Sequence, residues 1–190
     1  MTTRHQLTSA ILAVLVLLAA CGGGPKGTVD AKDIKTYDKL YQRASTTMLD
    51  AVDALDQDKH ATRRETKKLA DATCDPVWGE NVRQLSGRWD VLYPKGESIA
   101  DVSARIKKTM TEAGWKYKLG EDDITYVFTR EAGDGITLTA FHYSKGLRPD
   151  PDGDGGWTDV QFETNCIDVS DEVYDEILDR DFDKSFDEDY

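Results

Sequence analysis

A short acidic segment is the part of the sequence that comes closest to a metal-binding motif. The run Asp-Pro-Asp-Gly-Asp-Gly places carboxylates at Asp150, Asp152 and Asp154, followed by a glycine at the sixth position. Calcium loops use this alternation because Ca²⁺ takes six to eight oxygen ligands. The twelfth position is Gln161, however, which cannot supply a bidentate carboxylate. We therefore expect an exposed hairpin loop of turn-forming residues, with weak Ca²⁺ binding as the alternative.

Ser98 is the candidate for nucleophilic catalysis. The segment Gly96-Glu97-Ser98-Ile99-Ala100 is similar to the nucleophile elbow of serine hydrolases, but it lacks the final glycine. A serine with Asp101 three residues later, at the start of a periodic apolar stretch, is instead typical of a helix N-cap. His60 and His142 have no partner at triad or metal-ligand spacing. The sequence therefore predicts that the protein is not an enzyme, and a hydrolase is the third-ranked function.

The amino-terminal residues carry a targeting signal. Arg4 precedes an unbroken apolar run over 10–20, which is too short to cross a hydrocarbon core that needs about 20 residues. The run ends in Leu18-Ala19-Ala20-Cys21, and these residues resemble the lipobox of bacterial lipoproteins. The resemblance implies cleavage before Cys21, a diacylglyceryl group on its sulfur and often an acyl chain on its new amino terminus. It implies a protein anchored by lipid to the outer side of the cytoplasmic membrane.

The signal divides the chain into four parts. Residues 1–20 are the signal peptide, and 21–29 are the lipidated cysteine and a glycine-rich, flexible stalk. Residues 30–170 are long enough for a single domain with its own core. Residues 171–190 form an acidic tail.

Acidic residues are concentrated at the carboxyl end. The formal net charge is −12, and residues 168–190 hold eleven Asp and Glu against two basic residues. Such blocks usually stay solvated, although Val173, Ile177 and Leu178 could form a short helix that docks on the domain. This charge excludes a nucleic-acid partner.

Cys74 and Cys166 are expected to form a disulfide. The signal sends the chain out of the reducing cytosol, and an even pair of cysteines without a CxxC spacing or neighbouring histidines favours a cross-link over a metal or redox site. Closing a loop of this length contributes about 4 kcal/mol. Cys166 shares parity with Val160 and Phe162, so its side chain is expected to point inward.

The helices that position these residues follow from the spacing of apolar side chains. From about residue 30 to 57 apolar positions recur every three or four residues, which predicts an amphipathic helix packed on the domain. These positions are Ile34, Tyr37, Tyr41, Ala44, Met48, Val52 and Leu55. Residues 58–73 are charged, and both a short helix and a solvated connector fit them. The same spacing predicts a second helix over 98–113, ended by Gly114.

Alternation of apolar and polar residues predicts four strands. The first surrounds Trp89 and Val91, and the others span 124–130, 136–144 and 158–167. The order of the elements predicts an α+β fold. An N-terminal helix precedes a strand-helix-strand-strand-strand module, in which an antiparallel sheet carries its helices on one face.

Phe141 and Tyr143 are the candidate binding residues outside the acidic segment. They share one strand face with Thr137 and Thr139, opposite Leu138, and an open face of this kind can bind a ligand. A helix that covers the face is the alternative. The outcome depends on which side of the sheet the N-terminal helix covers.

Together these observations predict a non-enzymatic lipoprotein whose domain binds or supports an unidentified component of the cell envelope. The layout of helix, cysteine, strand-rich module and second cysteine is similar to that of small actinobacterial lipoproteins of unknown function. A calcium-responsive surface protein that uses the acidic segment is the second-ranked function. No cofactor is expected beyond weakly bound Ca²⁺.

Overall fold

The computed structural model describes residues 27–56, 63–64, 69–74, 78–94, 96–145, 148–149 and 155–180. The helices in these residues are α1 (Ile34–Asp56), α2 (Ile99–Glu112) and α3 (Asp171–Asp179). The strands are β1 (Val29–Ala31), β2 (Arg63–Arg64), β3 (Ala70–Thr73), β4 (Val82–Pro94), β5 (Lys116–Leu119), β6 (Thr125–Gly133), β7 (Ile136–Tyr143), β8 (Arg148–Pro149), β9 (Gly155–Thr164) and β10 (Ile167–Val169).

The strands form one sheet with β4 and β9 at its centre. β4 pairs antiparallel with β9, and β7, β6 and β5 follow in that order toward one edge. The other edge of β4 holds β2 and β3, and β8 pairs with β9. β10 continues the path of β9 along β4, with β1 parallel to it. Within the described residues the sheet is therefore antiparallel except for the pair β1–β10.

The three helices pack on one side of the sheet, which we call the inner face. On β7 this face carries Ile136, Leu138, Ala140 and His142, all of them buried. The predicted stripe of α1 is confirmed, because Tyr37, Ala44, Met48, Val52 and Leu55 are buried in the same core. Each large apolar side chain buried in this way contributes about 1.5–3 kcal/mol. The predicted α+β fold, with helices on one face, is confirmed.

Apart from Leu69, the described residues of the segment 58–73 lie in strands, which neither of the structures expected of the segment includes. Its last residues form β3, which pairs with β4. The strand is stable despite its charge because Asp71 has buried partners: the Tyr37 hydroxyl donates to it at 2.6 Å, and Arg83 donates through Nε at 3.0 Å and through a second, shorter bond. Polar residues far apart in sequence thus replace the apolar alternation that usually marks a strand.

Part of the acidic tail forms a docked helix. The Ser170 hydroxyl accepts a hydrogen bond from the Val173 amide at 3.3 Å and caps α3. Val173 and Ile177 are buried against the domain, whereas Leu178 is 59% exposed. Arg180 forms an ion pair with Asp38 of α1. The domain therefore extends about ten residues beyond the expected boundary at 170.

Candidate functional site

The side of the sheet opposite the helices, the outer face, carries the predicted binding residues. Thr137, Thr139 and Phe141 on β7 are half-buried, and Tyr143 is 41% exposed. α1, α2 and α3 all contribute to the core on the inner face. The described helices leave the outer face, with Phe141 and Tyr143, open, and ligand binding by these two residues stays a prediction.

A row of polar side chains crosses four strands of the outer face. In the register of the sheet, Thr129 lies opposite Thr139, Thr139 opposite Glu163, and Glu163 opposite Ser86. Three strand spacings of about 4.8 Å make this row roughly 14 Å long. We call it the polar row. Partial burial raises the pKa of the Glu163 carboxyl above its ordinary value, because desolvation disfavours the charged form.

A groove of about 610 Å³ lies at one end of the outer face. Its walls are strand residues of β4, β7 and β9, the disulfide and the loop that precedes β4. The lining residues are Gly27, Cys74, Trp78, Gln84, Gly135, Thr137, Thr139, Glu163, Thr164, Asn165 and Cys166. Trp78 is 39% exposed. The sequence analysis missed Trp78 and Glu163, although Glu163 has outward parity on a predicted strand.

The predicted disulfide forms part of this groove. Cys74 and Cys166 are joined, with their Cα atoms 5.8 Å apart. Both residues are half-exposed and line the groove. The expected inward direction of Cys166 is wrong, because β9 ends at Thr164 and Cys166 lies in the two-residue connection before β10.

Asn165 joins the groove to the first described residues. Its Oδ1 accepts a hydrogen bond from the Thr137 amide at 2.9 Å, and its Nδ2 donates to the carbonyl of Gly135 at 3.2 Å and to that of Gly27. Gly27 has a φ of +90°, a conformation that favours glycine. The point where the chain enters the domain is thereby fixed at the edge of the groove.

Ser103 and His142 make a polar pair that is sealed inside the inner face. Ser103 Oγ lies 2.8 Å from His142 Nε2, and His142 Nδ1 lies 3.1 Å from the carbonyl oxygen of Asp159. Both side chains are fully buried. Because the carbonyl can only accept, Nδ1 donates to it and Nε2 accepts from the serine hydroxyl. Burial lowers the pKa of His142 and favours this neutral form.

Ser98 is a helix cap, as the sequence predicts. Its hydroxyl accepts a hydrogen bond from the Asp101 amide at 3.2 Å and donates to the Asp101 carboxylate at 2.7 Å. The hydroxyl therefore caps the amino terminus of α2, and it has no histidine partner in the described residues. His60 lies outside the described residues.

The candidate calcium ligands Asp150, Asp152 and Asp154 also lie outside the described residues. The strands on either side, β8 and β9, pair antiparallel. Gln161 lies on β9, where its Nε2 donates to Asp159 Oδ2 at 2.9 Å. In the described ranges, no group of three or more His, Cys, Asp or Glu is arranged to hold a metal ion.

The predicted lipid anchor, Cys21, and the rest of residues 1–26 are outside the described part of the chain. No helix in the part that the structure describes is long and apolar enough to span a membrane. Comparisons with protein-family models, with curated proteins and with solved structures found no match.

Proposed function

We propose that this chain is a lipid-anchored binding protein on the outer side of the cytoplasmic membrane, and that the groove holds its ligand, a component of the cell envelope. The observation that carries the proposal is the position of Gly27, which lines the groove and follows Cys21 by six residues. Six extended residues span at most about 20 Å. A lipid on Cys21 would keep the groove within about that distance of the membrane surface.

Binding fits the chemistry of the groove better than catalysis. Of the lining residues that the structure describes, Glu163 is the one with a titratable side chain. The amide of Gln84 is bonded to the Thr164 carbonyl at 2.9 Å. General acid–base catalysis needs a positioned group that accepts or donates a proton, and His142 lies on the opposite face of the sheet. The proposal therefore assigns recognition to this site and no reaction.

The negative charge of the groove and of the whole chain disfavours anionic partners. Among the described lining residues of the groove, Glu163 alone has a charged side chain. The whole chain has a net charge of −12. Phosphate backbones are bound by clustered Lys and Arg, so a nucleic acid is a poor fit. A neutral ligand meets no repulsion at this site.

Site-specific photo-crosslinking in intact cells tests the proposal. A photoreactive amino acid at Thr137 of the full-length, lipidated protein should capture an envelope component. The matched control carries the same group at Leu178, which is exposed on α3 and lies on the helical side of the domain. An adduct specific to Thr137 is expected. The absence of any adduct specific to Thr137 would refute the groove as the binding site.

Calcium binding is the second candidate function, because β8 and β9 pair on either side of residues 150–154 and so bring the ends of the acidic segment together. With Gln161 at the twelfth position, we expect a Kd of about 10⁻⁴ to 10⁻³ M or no binding. Calorimetric titration of Ca²⁺ tests this. Micromolar binding that is abolished by Asp152→Ala and Asp154→Ala would make calcium the leading function.

A further inference from the structure

We infer that the ligand of the groove is a neutral carbohydrate, bound along the polar row with one sugar ring packed against Trp78. This inference rests on the proposed function, since it names the chemical class of the ligand for the same site. It is carried by three features of the outer face: hydroxyl groups with no hydrogen-bond partner among the described residues, an exposed indole, and a groove whose described lining has one charged side chain.

The hydroxyls of the polar row are available to a ligand. Within the described residues, the side chains of Thr129, Thr139 and Ser86 make no hydrogen bond to the protein, and all three are half-buried on the uncovered face. A hydroxyl both donates and accepts. A row of such groups, interrupted by the acceptor Glu163, therefore matches a ligand that presents many hydroxyls of its own.

Trp78 supplies the apolar surface that a sugar ring requires. It lines the same groove as Thr137, Thr139 and Glu163, and it is one of the exposed large hydrophobic residues. An indole is a large apolar surface with a single polar N–H. The C–H face of a pyranose ring can pack on that surface while the hydroxyls at its edge reach the polar row. Binding sites commonly combine an aromatic wall with a few convergent polar groups in this way.

The lining disfavours the other hydroxyl-rich or polar ligands of an envelope. Anionic headgroups and phosphorylated polymers would meet the Glu163 carboxyl in the groove, whose described lining has no Lys or Arg. Lys116 and Arg130 lie beside Thr129 at the β6 end of the polar row, in a separate cavity that also includes Glu131. The raised pKa of Glu163 is consistent with a partly desolvated position, where a second negative charge would be costly. An uncharged carbohydrate avoids this repulsion and can donate hydroxyl protons to the carboxylate.

Binding of defined oligosaccharides to the full-length lipidated protein in detergent micelles tests the inference. The probes are cellotetraose and chitotetraose, which are neutral, and tetragalacturonate, which is anionic and of similar size. We expect at least one neutral probe to bind at concentrations up to about 1 mM. The anionic probe should bind about tenfold more weakly, and Glu163→Gln should reduce that difference.

Variants of the lining residues locate the binding. Trp78→Ala and Thr139→Val should each weaken binding of the neutral probe about tenfold, and Trp78→Phe should recover part of the loss. The matched control is Leu119→Ala, because Leu119 is 40% exposed, nearly the same as Trp78, and lies on β5 away from the groove.

Two results would overturn the carbohydrate assignment. One is the failure of both neutral probes to bind, and the other is binding that Trp78→Ala and Thr139→Val leave unchanged. Crosslinking from Thr137 then shows whether the carbohydrate assignment alone fails or whether the proposed binding function fails as well. An adduct specific to the groove with a component that is not a carbohydrate refutes this inference and supports the proposed function. The absence of such an adduct refutes both.

Discussion

Removal of the disulfide should cost the domain a large part of its stability. Cys74 and Cys166 are separated by 92 residues. In the chain-entropy treatment, opening a loop of this length lowers the free energy of unfolding by about 4.5 kcal/mol. Domains of this size are stable by only about 5–15 kcal/mol. The double variant Cys74→Ser/Cys166→Ser should therefore melt roughly 9–18 °C below the oxidised protein.

Urea denaturation followed by tryptophan fluorescence measures this loss, because Trp89 and Trp115 are buried in the core. The wild-type protein treated with reductant is the control, since it loses the cross-link and keeps both cysteine side chains. The double variant and the reduced protein should have the same midpoint. A loss below about 1 kcal/mol in both samples would show that the cross-link does not restrict the unfolded chain as argued.

Three further predictions concern buried and capping groups. Asp71→Asn leaves Arg83 buried without its carboxylate and should lower the free energy of unfolding by about 3–5 kcal/mol. The control is Asp30→Asn, which removes an exposed ion pair and should change the urea midpoint little. The folded pKa of His142 lies below its ordinary value. The contribution of the neutral imidazole to the free energy of unfolding is therefore complete above about pH 7.5 and is lost as the pH falls below about 6.5. His142→Gln should remove that part of the pH dependence in urea titrations from pH 8 to 5.5. Ser98→Ala should destabilise α2 by about 1 kcal/mol, and an unchanged melting temperature would argue against the cap.

The parts of the fold that the sequence predicts are those with a local pattern. α1 and α2 have apolar residues at helical spacing, and the Ser98 cap lies within one turn of the positions it serves. β1 and β10 were not predicted, because each has three residues and their pairing joins Val29 to Ile167, which lie near opposite ends of the domain sequence. β3 was missed because its stability depends on the contacts of Asp71 with distant side chains.

In the candidate site, too, the features with a local sequence pattern were predicted and those that depend on distant contacts were not. Strand parity placed Phe141 and Tyr143 on the outer face, and α1 packs on the opposite face. Trp78 and Gly27 could not be assigned to a groove from the sequence, since long-range contacts bring them beside β7 and β9: the disulfide, the Asn165 hydrogen bonds and the pairing of β1 with β10. The order of the elements therefore determines which face of the sheet the helices leave open, whereas long-range contacts determine where the groove lies on that face.

Lipid attachment at Cys21 is the most direct test of the central claim, a binding domain held at the membrane. The full-length protein and Cys21→Ser should be expressed in the native host, separated into membrane and soluble fractions, and analysed by intact mass. The account predicts a membrane-bound wild type that begins at Cys21 and carries the added mass of lipid. It predicts that Cys21→Ser carries no lipid mass, and that any Cys21→Ser protein that has been cleaved to mature length leaves the membrane fraction. A processed, mature-length Cys21→Ser protein that still sediments with membranes would contradict it.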